Sequence, residues 1–192
     1  MFGRHIKSNS VGIELRPFAK SDCPQLIKYI NKPDVNKWLD IYSSYTIEDE
    51  EEWYDSLRYD RKKIIWGIFI NGEIIGTATI LNFNPITRNG EIGLMIGNNK
   101  YYRKGIGTET VACLCDYAFG ELNCECLYYT VSEKNIPSQK IAQKNGFEQC
   151  GTTPHYFFRD GKYYSAINLY RLRDAEKTEN AEETEETSEE AE

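Results

Sequence analysis

Gly105 and Gly107, with Arg103 and Lys104 just before them, stand where a strand-like run gives way to a helical pattern. The first turn of a helix leaves backbone N–H groups without acceptors and carries about half a positive charge, so it binds phosphate through the backbone alone. Two glycines remove side chains that would hold a phosphate away, and Arg103 and Lys104 add two positive charges beside it. A Walker loop requires Gly, four residues and then Gly-Lys-Ser/Thr, which this stretch lacks, and a dinucleotide fingerprint needs a third glycine where Thr110 stands. Nucleoside triphosphates and NAD are therefore disfavoured.

Other chemistry finds little material. The six cysteines fall as Cys113-x-Cys115, Cys124-x-Cys126, Cys23 and Cys150. Side chains two residues apart on a helix point roughly 200° apart, so the first pair cannot share a metal. All six read as reduced, small hydrophobes, and no metal site is expected. With His5 and His155 the only histidines, no thiol or hydroxyl has a clear imidazole to activate it as a covalent nucleophile.

The elements that must position the loop can be read along the chain. Val11 to Arg16 alternates apolar and polar residues up to Pro17 and predicts a short first strand. Ser21 and Asp22 offer helix caps ahead of an apolar stripe of Leu26, Ile27 and Ile30, and Thr46-x-x-Asp49 has the form of a capping box for a helix through Trp53 and Leu57. Ile64 to Ile70 and Glu73 to Leu81 are strand-like runs joined by Asn71-Gly72, a strong hairpin signal. A strand from Glu91 to Ile96 follows an expected turn at Asn89-Gly90. The helix after the glycine loop runs to Gly120. Cys124 to Val131 reads as a buried strand, Pro137 suits a helix start and Gly146 a helix stop. Two closing strands, from Phe147 and from Lys162 to Leu172, are separated by Asp160-Gly161. The expected fold class is α/β, a mixed and mostly antiparallel sheet of about seven strands with flanking helices.

Length and charge agree with one domain and an appendage. In 192 residues, 40% are hydrophobic and 28% charged, an ordinary globular balance. The formal charge of −7 misleads: from Asp174 to Glu192 ten acidic residues accompany only Lys177, leaving 22 basic and 20 acidic residues before them. Residues 1–173 are read as the folded domain and 174–192 as a disordered acidic tail. The longest uncharged stretch, Ile74 to Thr87, is too short and too polar to span a bilayer, and Met1 to Lys20 lacks an apolar signal core. The protein is expected to stay in the cytoplasm, with no membrane or nucleic-acid partner and a homodimer left open.

Tyr102-Arg103-Lys104-Gly105-Ile106-Gly107 resembles the Gln/Arg-x-x-Gly-x-Gly/Ala loop of the GNAT superfamily of N-acetyltransferases, departing at Tyr102. Gly105-Ile106-Gly107-Thr108-Glu109 looks more like the branch of ribosomal-protein N-terminal acetyltransferases and related small-molecule acetyltransferases. Asn135-x-x-Ser138 and Lys144-x-Gly146-Phe147 match that branch's second cofactor-contacting segment, and Ile13-Glu14-Leu15-Arg16-Pro17 is a typical opening. The resemblance spans roughly Val11 to Leu172.

It implies acetyl-CoA as co-substrate, with its pyrophosphate on the N–H groups of Arg103, Lys104, Gly105, Ile106, Gly107 and Thr108. The pantetheine arm would lie along a splayed strand containing Leu94, Met95 and Ile96, with Asn135, Ser138 and Lys144 as further contacts. It also implies a fold in which a primary amine, on a protein N-terminus or a small molecule, attacks the thioester directly. Glu91, eleven residues before Tyr102, matches the strand carboxylate that serves as general base in some members; a surface strand residue is the alternative. A backbone N–H near Met95 or Ile96 would hold the oxyanion. Many members place a tyrosine general acid where this chain has Ala142, so either Ser138 serves or the thiolate leaves unaided, and Ser138 may equally cap a helix or touch the cofactor. That gap raises the alternative of a non-enzymatic acyl-CoA sensor. Glu48 to Glu52, in the region where members bind the acceptor, read as a solvated helix face.

Overall fold

The computed structural model describes residues 1–39, 41 and 43–173; the expected acidic tail lies outside the described residues. Among these, strands β1 (Ile6–Ser8) and β2 (Ile13–Arg16) precede helices α1 (Cys23–Ile30), α2 (Pro33–Asn36) and α3 (Ile47–Ser56). Then come β3 (Ile64–Ile70), β4 (Glu73–Asn84), β5 (Asn89–Ile96), α4 (Ile106–Gly120), β6 (Cys126–Ser132), α5 (Ile136–Lys144), β7 (Glu148–Arg159) and β8 (Lys162–Leu172). None of the described helices is long and apolar enough to cross a membrane.

Several elements form for the reasons their residues suggest. Thr46 N donates to Asp49 Oδ2 at 2.8 Å while Asp49 N donates to Thr46 Oγ1 at 3.2 Å, a reciprocal cap for α3. Asn71 and Gly72 both take positive φ, 50° and 79°, as the tight β3–β4 turn requires. Gly146, at φ 75°, follows the last turn of α5.

Three expectations are corrected. Val11 and Gly12 are a turn, and β1 before it brings the sheet to eight strands rather than seven. The β4–β5 turn falls at 85–88, not at Asn89-Gly90, because Asn84 Oδ1 accepts from the Ile86 and Thr87 amides at 2.9 and 3.3 Å and closes the chain early. Gly90 is a strand residue whose added Cβ would stand 2.8 Å from Ile80 Cγ2. Finally, β6 begins at Cys126, with Cys124 buried ahead of it.

The sheet order is β1-β2-β3-β4-β5-β6-β8-β7, antiparallel throughout except between β5 and β6. One face carries Ile92 of β5 together with Ile106, Val111 and Leu114 of α4, and Leu94 and Ile96 pack against this cluster. The other carries Met95 with Leu26 and Tyr29 of α1 and Leu57 after α3. Each fully buried Leu or Ile contributes roughly 1.5–3 kcal/mol, so both faces of β5 are firmly held.

Candidate active site

Strands β5 and β6 pair over only three rungs, Asn89 with Cys126, Gly90 with Leu127 and Glu91 with Tyr128. Beyond Glu91 the two strands no longer pair, although both continue for four or five residues. This leaves a wedge-shaped gap in which backbone groups of β5 directed toward β6 have no strand partner. Every parallel pair needs a crossover, and here α4 supplies it, so the helix start is brought to the open end of the wedge.

Gly105 is the N-cap of α4 at φ 79°, and it offers no side-chain acceptor to the first-turn amides. The first intrahelical bond to the cap runs from Glu109 N to Gly105 O at 3.0 Å. Space beside the Gly105 α-carbon is open, with Val11 Cγ1 at 3.7 Å from an added Cβ. Gly107 differs. An added Cβ there would meet Ile141 Cδ1 at 2.7 Å, Leu94 at 3.4 Å and Ile96 at 3.5 Å, so its bareness serves the packing of α4 on β5 and α5 rather than phosphate access. Arg103 and Lys104 are exposed, and Lys104 and Lys100 both lean on the Tyr101 ring at 5.7 and 5.4 Å from its centre, which gathers positive charge at the loop. Tyr102, the residue that departs from the family loop, donates its hydroxyl to Ile96 O at 2.9 Å and ties the loop to the end of β5.

Glu91 occupies the apex of the wedge. Side chains alternate along a strand, so Glu91 faces away from Ile92, on the face opposite α4. Its Oε2 accepts from Asn82 Nδ2 at 3.2 Å. Asn82 reaches it because β4 bulges between Leu81 and Asn84, with Asn82 at φ 53°. Nothing in the sequence pattern marked Asn82; the bulge that aims it has no local signature.

The second segment surrounds the start of α5. Asn135 is its N-cap, and its Oδ1 accepts from Ser138 N at 3.3 Å. Ser138 Oγ shares a 2.8 Å hydrogen bond with the Tyr129 hydroxyl, and Tyr129 is only 4% exposed on the α4–α5 face of β6. Burial pushes the Tyr129 phenol above its ordinary pKa, against the lowering effect of the Ser138 bond. At the other end of α5, buried Asn145 donates to Thr108 O at 3.1 Å and Ile141 O at 2.9 Å, locking α5 onto the first turn of α4. Lys144 is exposed beside that lock.

A family description reading Acetyltransferase (GNAT) domain matches residues 13–148. The chain belongs to the GNAT acetyltransferase family. It is 26% identical over 149 residues to an uncharacterized N-acetyltransferase of Bacillus licheniformis, spanning 75% of this chain and 83% of that one. It is also 26% identical over 167 residues to Bacillus subtilis YdaF, provisionally named a ribosomal N-acetyltransferase, spanning 81% and 86%. The fold matches the crystal structure of a Vibrio cholerae spermidine N-acetyltransferase in complex with CoA and spermine, with a TM-score of 0.78, 21% identity and coverage of 84% of this chain and 95% of that one. This GNAT domain is an acyltransferase.

Ile96 and Arg103 to Thr108 lie at the start of α4, Lys144 at the end of α5 beside Asn145, Asn135 and Ser138 at the start of α5, and Met95 and Glu91 on the opposite face of β5. Glu48, Asp49 and Glu52 are exposed, as a solvated face requires, and Glu50 is the exception. It is 3% exposed, its Oε1 has no hydrogen-bond partner among the described residues, and burial raises its carboxyl to a pKa of about 7. Burial also pushes the Cys23, Cys113 and Cys124 thiols up to about 11 and Cys115 to about 12, which keeps these four protonated and poor nucleophiles.

Proposed function

We propose that this acyltransferase moves acetyl from acetyl-CoA to a primary amine, on a small molecule or a protein N-terminus, by direct attack in a ternary complex. The observation that supports it best is the wedge between β5 and β6, with an uncapped helix start on one face of the sheet and Glu91 at its apex on the other. The pyrophosphate rests on first-turn amides of α4 beside Arg103 and Lys104, and the pantetheine arm takes the strand position that β6 vacates. Asn135, Ser138 and Lys144 complete the seat from α5.

An alkyl amine has a pKa of about 10 and is mostly protonated at neutral pH, so it must lose a proton before it attacks. Glu91 accepts that proton, oriented by Asn82. The amine nitrogen then bonds to the thioester carbon while a backbone N–H of Met95 or Ile96 steadies the oxyanion. Collapse breaks the C–S bond and expels the thiolate, whose parent thiol pKa near 8.5 makes it a fair leaving group without a strong acid, and the proton still carried by the new amide nitrogen passes to that sulfur, leaving a neutral amide and the CoA thiol. No covalent enzyme intermediate is used.

Thiol release from acetyl-CoA across polyamines, amino sugars and peptide N-termini tests the reading. Release with any of these amines is the expected result. Binding of acetyl-CoA with no release on any acceptor would make the chain an acyl-CoA sensor instead.

A further inference from the structure

The residue at which the loop departs from the family pattern stands over the last open backbone groups of β5. Gly97 N donates to Ile75 O at 2.8 Å, and a Cβ added to Gly76 would stand 2.0 Å from Met95 O, so the Gly97 amide and the Met95 carbonyl point toward β4. Successive residues of an antiparallel strand direct their N–H and C=O to alternate sides, so Ile96, between these two, directs both of its groups toward the side that β6 has left. Of the two amides named for the oxyanion, the Ile96 N–H is thus the one that faces the wedge. Its carbonyl is already taken, because the Tyr102 hydroxyl donates to it at 2.9 Å. A turn of 3₁₀ helix, Asn99–Tyr101, carries the phenol back over the strand end. Asn98 holds that turn: its Oδ1 accepts from Lys100 N at 3.2 Å, and its Nδ2 donates to Glu73 Oε1 at 3.1 Å. Burial, and after it the Asp34 carboxylate, push the Tyr102 phenol above its ordinary pKa, so it keeps its proton and remains a donor.

We infer that Tyr102 is a catalytic residue of the transfer reaction, its hydroxyl serving beside the Ile96 N–H as a second donor to the oxyanion. The inference rests on the proposal that acetyl transfer occurs in this wedge. An acceptor on the N–H and a donor on the C=O of one extended residue stand side by side, so a thioester oxygen seated on Ile96 N–H lies against the Tyr102 hydroxyl. Before reaction that hydroxyl keeps to the Ile96 carbonyl. As the amine nitrogen bonds to the thioester carbon, the π pair of the C=O moves onto oxygen. A hydrogen bond to that negative charge is about twice as strong as one to a neutral carbonyl, so the O–H turns to the oxyanion. The phenol keeps its proton throughout and returns to Ile96 O when the pair re-forms the carbonyl and the C–S bond breaks. A donor of this kind favours the transition state over the bound substrate and raises the rate of the chemical step without tightening the cofactor.

Tyr102→Phe removes the hydroxyl and keeps a ring that is 40% exposed in the parent. With the best amine of the acceptor screen, the single-turnover rate is expected to fall about 10²-fold, the worth of one oxyanion donor, while the KM for acetyl-CoA changes less than about threefold. Lys32→Met is the control. The Lys32 ammonium donates to Gly97 O at 3.2 Å, so its loss loosens the same end of β5 without taking a donor from the wedge, and the single-turnover rate holds. An equal fall in both variants assigns the effect to a loosened strand and overturns the inference. An unchanged rate in Tyr102→Phe overturns it too, as does a rise in the KM for acetyl-CoA with the rate held, which would make the phenol a cofactor contact. Absence of thiol release by the parent with every amine rejects the transfer reaction and this inference with it, whereas a parent that turns over beside an unimpaired Tyr102→Phe rejects the inference alone.

Discussion

Asn82 Nδ2 lies 3.2 Å from Glu91 Oε2, across the bulge that interrupts β4. Asn is among the few residues that accept the left-handed backbone this position adopts, and a bulge re-aims a side chain at the cost of local pairing. Glu91→Gln is expected to lower kcat about 10²- to 10⁴-fold, most at low pH where fewer amines are neutral. Asn82→Asp tolerates the same backbone but replaces the amide donor with a carboxylate, so Glu91 loses its orienting hydrogen bond and kcat is expected to fall, though less than in Glu91→Gln. A Glu91→Gln profile that overlays the parent's would remove Glu91 from the reaction.

Two glycines in one loop carry different burdens. Gly105→Val places a side chain over the proposed phosphate seat and adds about 1–2 kcal/mol of left-handed strain, so acetyl-CoA affinity falls by calorimetry. Gly107→Ala drives a methyl to within 2.7 Å of Ile141 Cδ1. Its main effect is a stability loss of about 1–3 kcal/mol in denaturant titration. Unchanged affinity in Gly105→Val would argue against the phosphate seat.

What the sequence disclosed follows from how locally each feature is encoded. Asn71-Gly72, the Thr46–Asp49 box and Gly146 each act within a few residues, and all three stand where their chemistry puts them. The Asn89-Gly90 signal failed because Asn84, five residues upstream, closes the turn first and Gly90 is needed bare against Ile80. Asn82 on Glu91, Tyr102 on Ile96, Asn145 on Thr108 and Tyr129 on Ser138 join separate elements. Polar residues at such positions carry no periodicity, so only the fold reveals their partners. Glu50 sat in a run of five acids whose pattern suggested solvent, and the packing of α3 against α1 sets it apart.

Glu50 makes stability depend on pH in a direction opposite to that of most carboxylates. Its pKa is about 7 in the fold against 4.5 for the free group, from burial alone. The folded state therefore holds a proton that the unfolded chain releases, and stability falls as pH rises from about 4.5 to about 7, then levels. The span is about 1–2 kcal/mol once solvent screening is allowed for. Glu50→Gln removes this slope and stabilises the protein at pH 8 more than at pH 5, measured by urea titration at both values. Equal effects at the two pH values would show that Glu50 is solvated.

Ser138 separates a structural role from a catalytic one. Its hydroxyl is the partner of the buried Tyr129 phenol at 2.8 Å, so Ser138→Ala strands a polar group and costs about 1–3 kcal/mol, whereas adding Tyr129→Phe removes both partners and recovers much of that loss. Such recovery is the signature of a pair that acts on stability. On the proposed departure of the thiolate without strong acid help, kcat in Ser138→Ala is expected to fall less than about tenfold, and any larger effect should appear in the KM for acetyl-CoA. A fall of about 10² or more in kcat, with the fold intact in the double variant, would instead make Ser138 the proton donor to the departing sulfur. The stability cycle and the kcat–KM split are independent, so each role can be rejected without reference to the other.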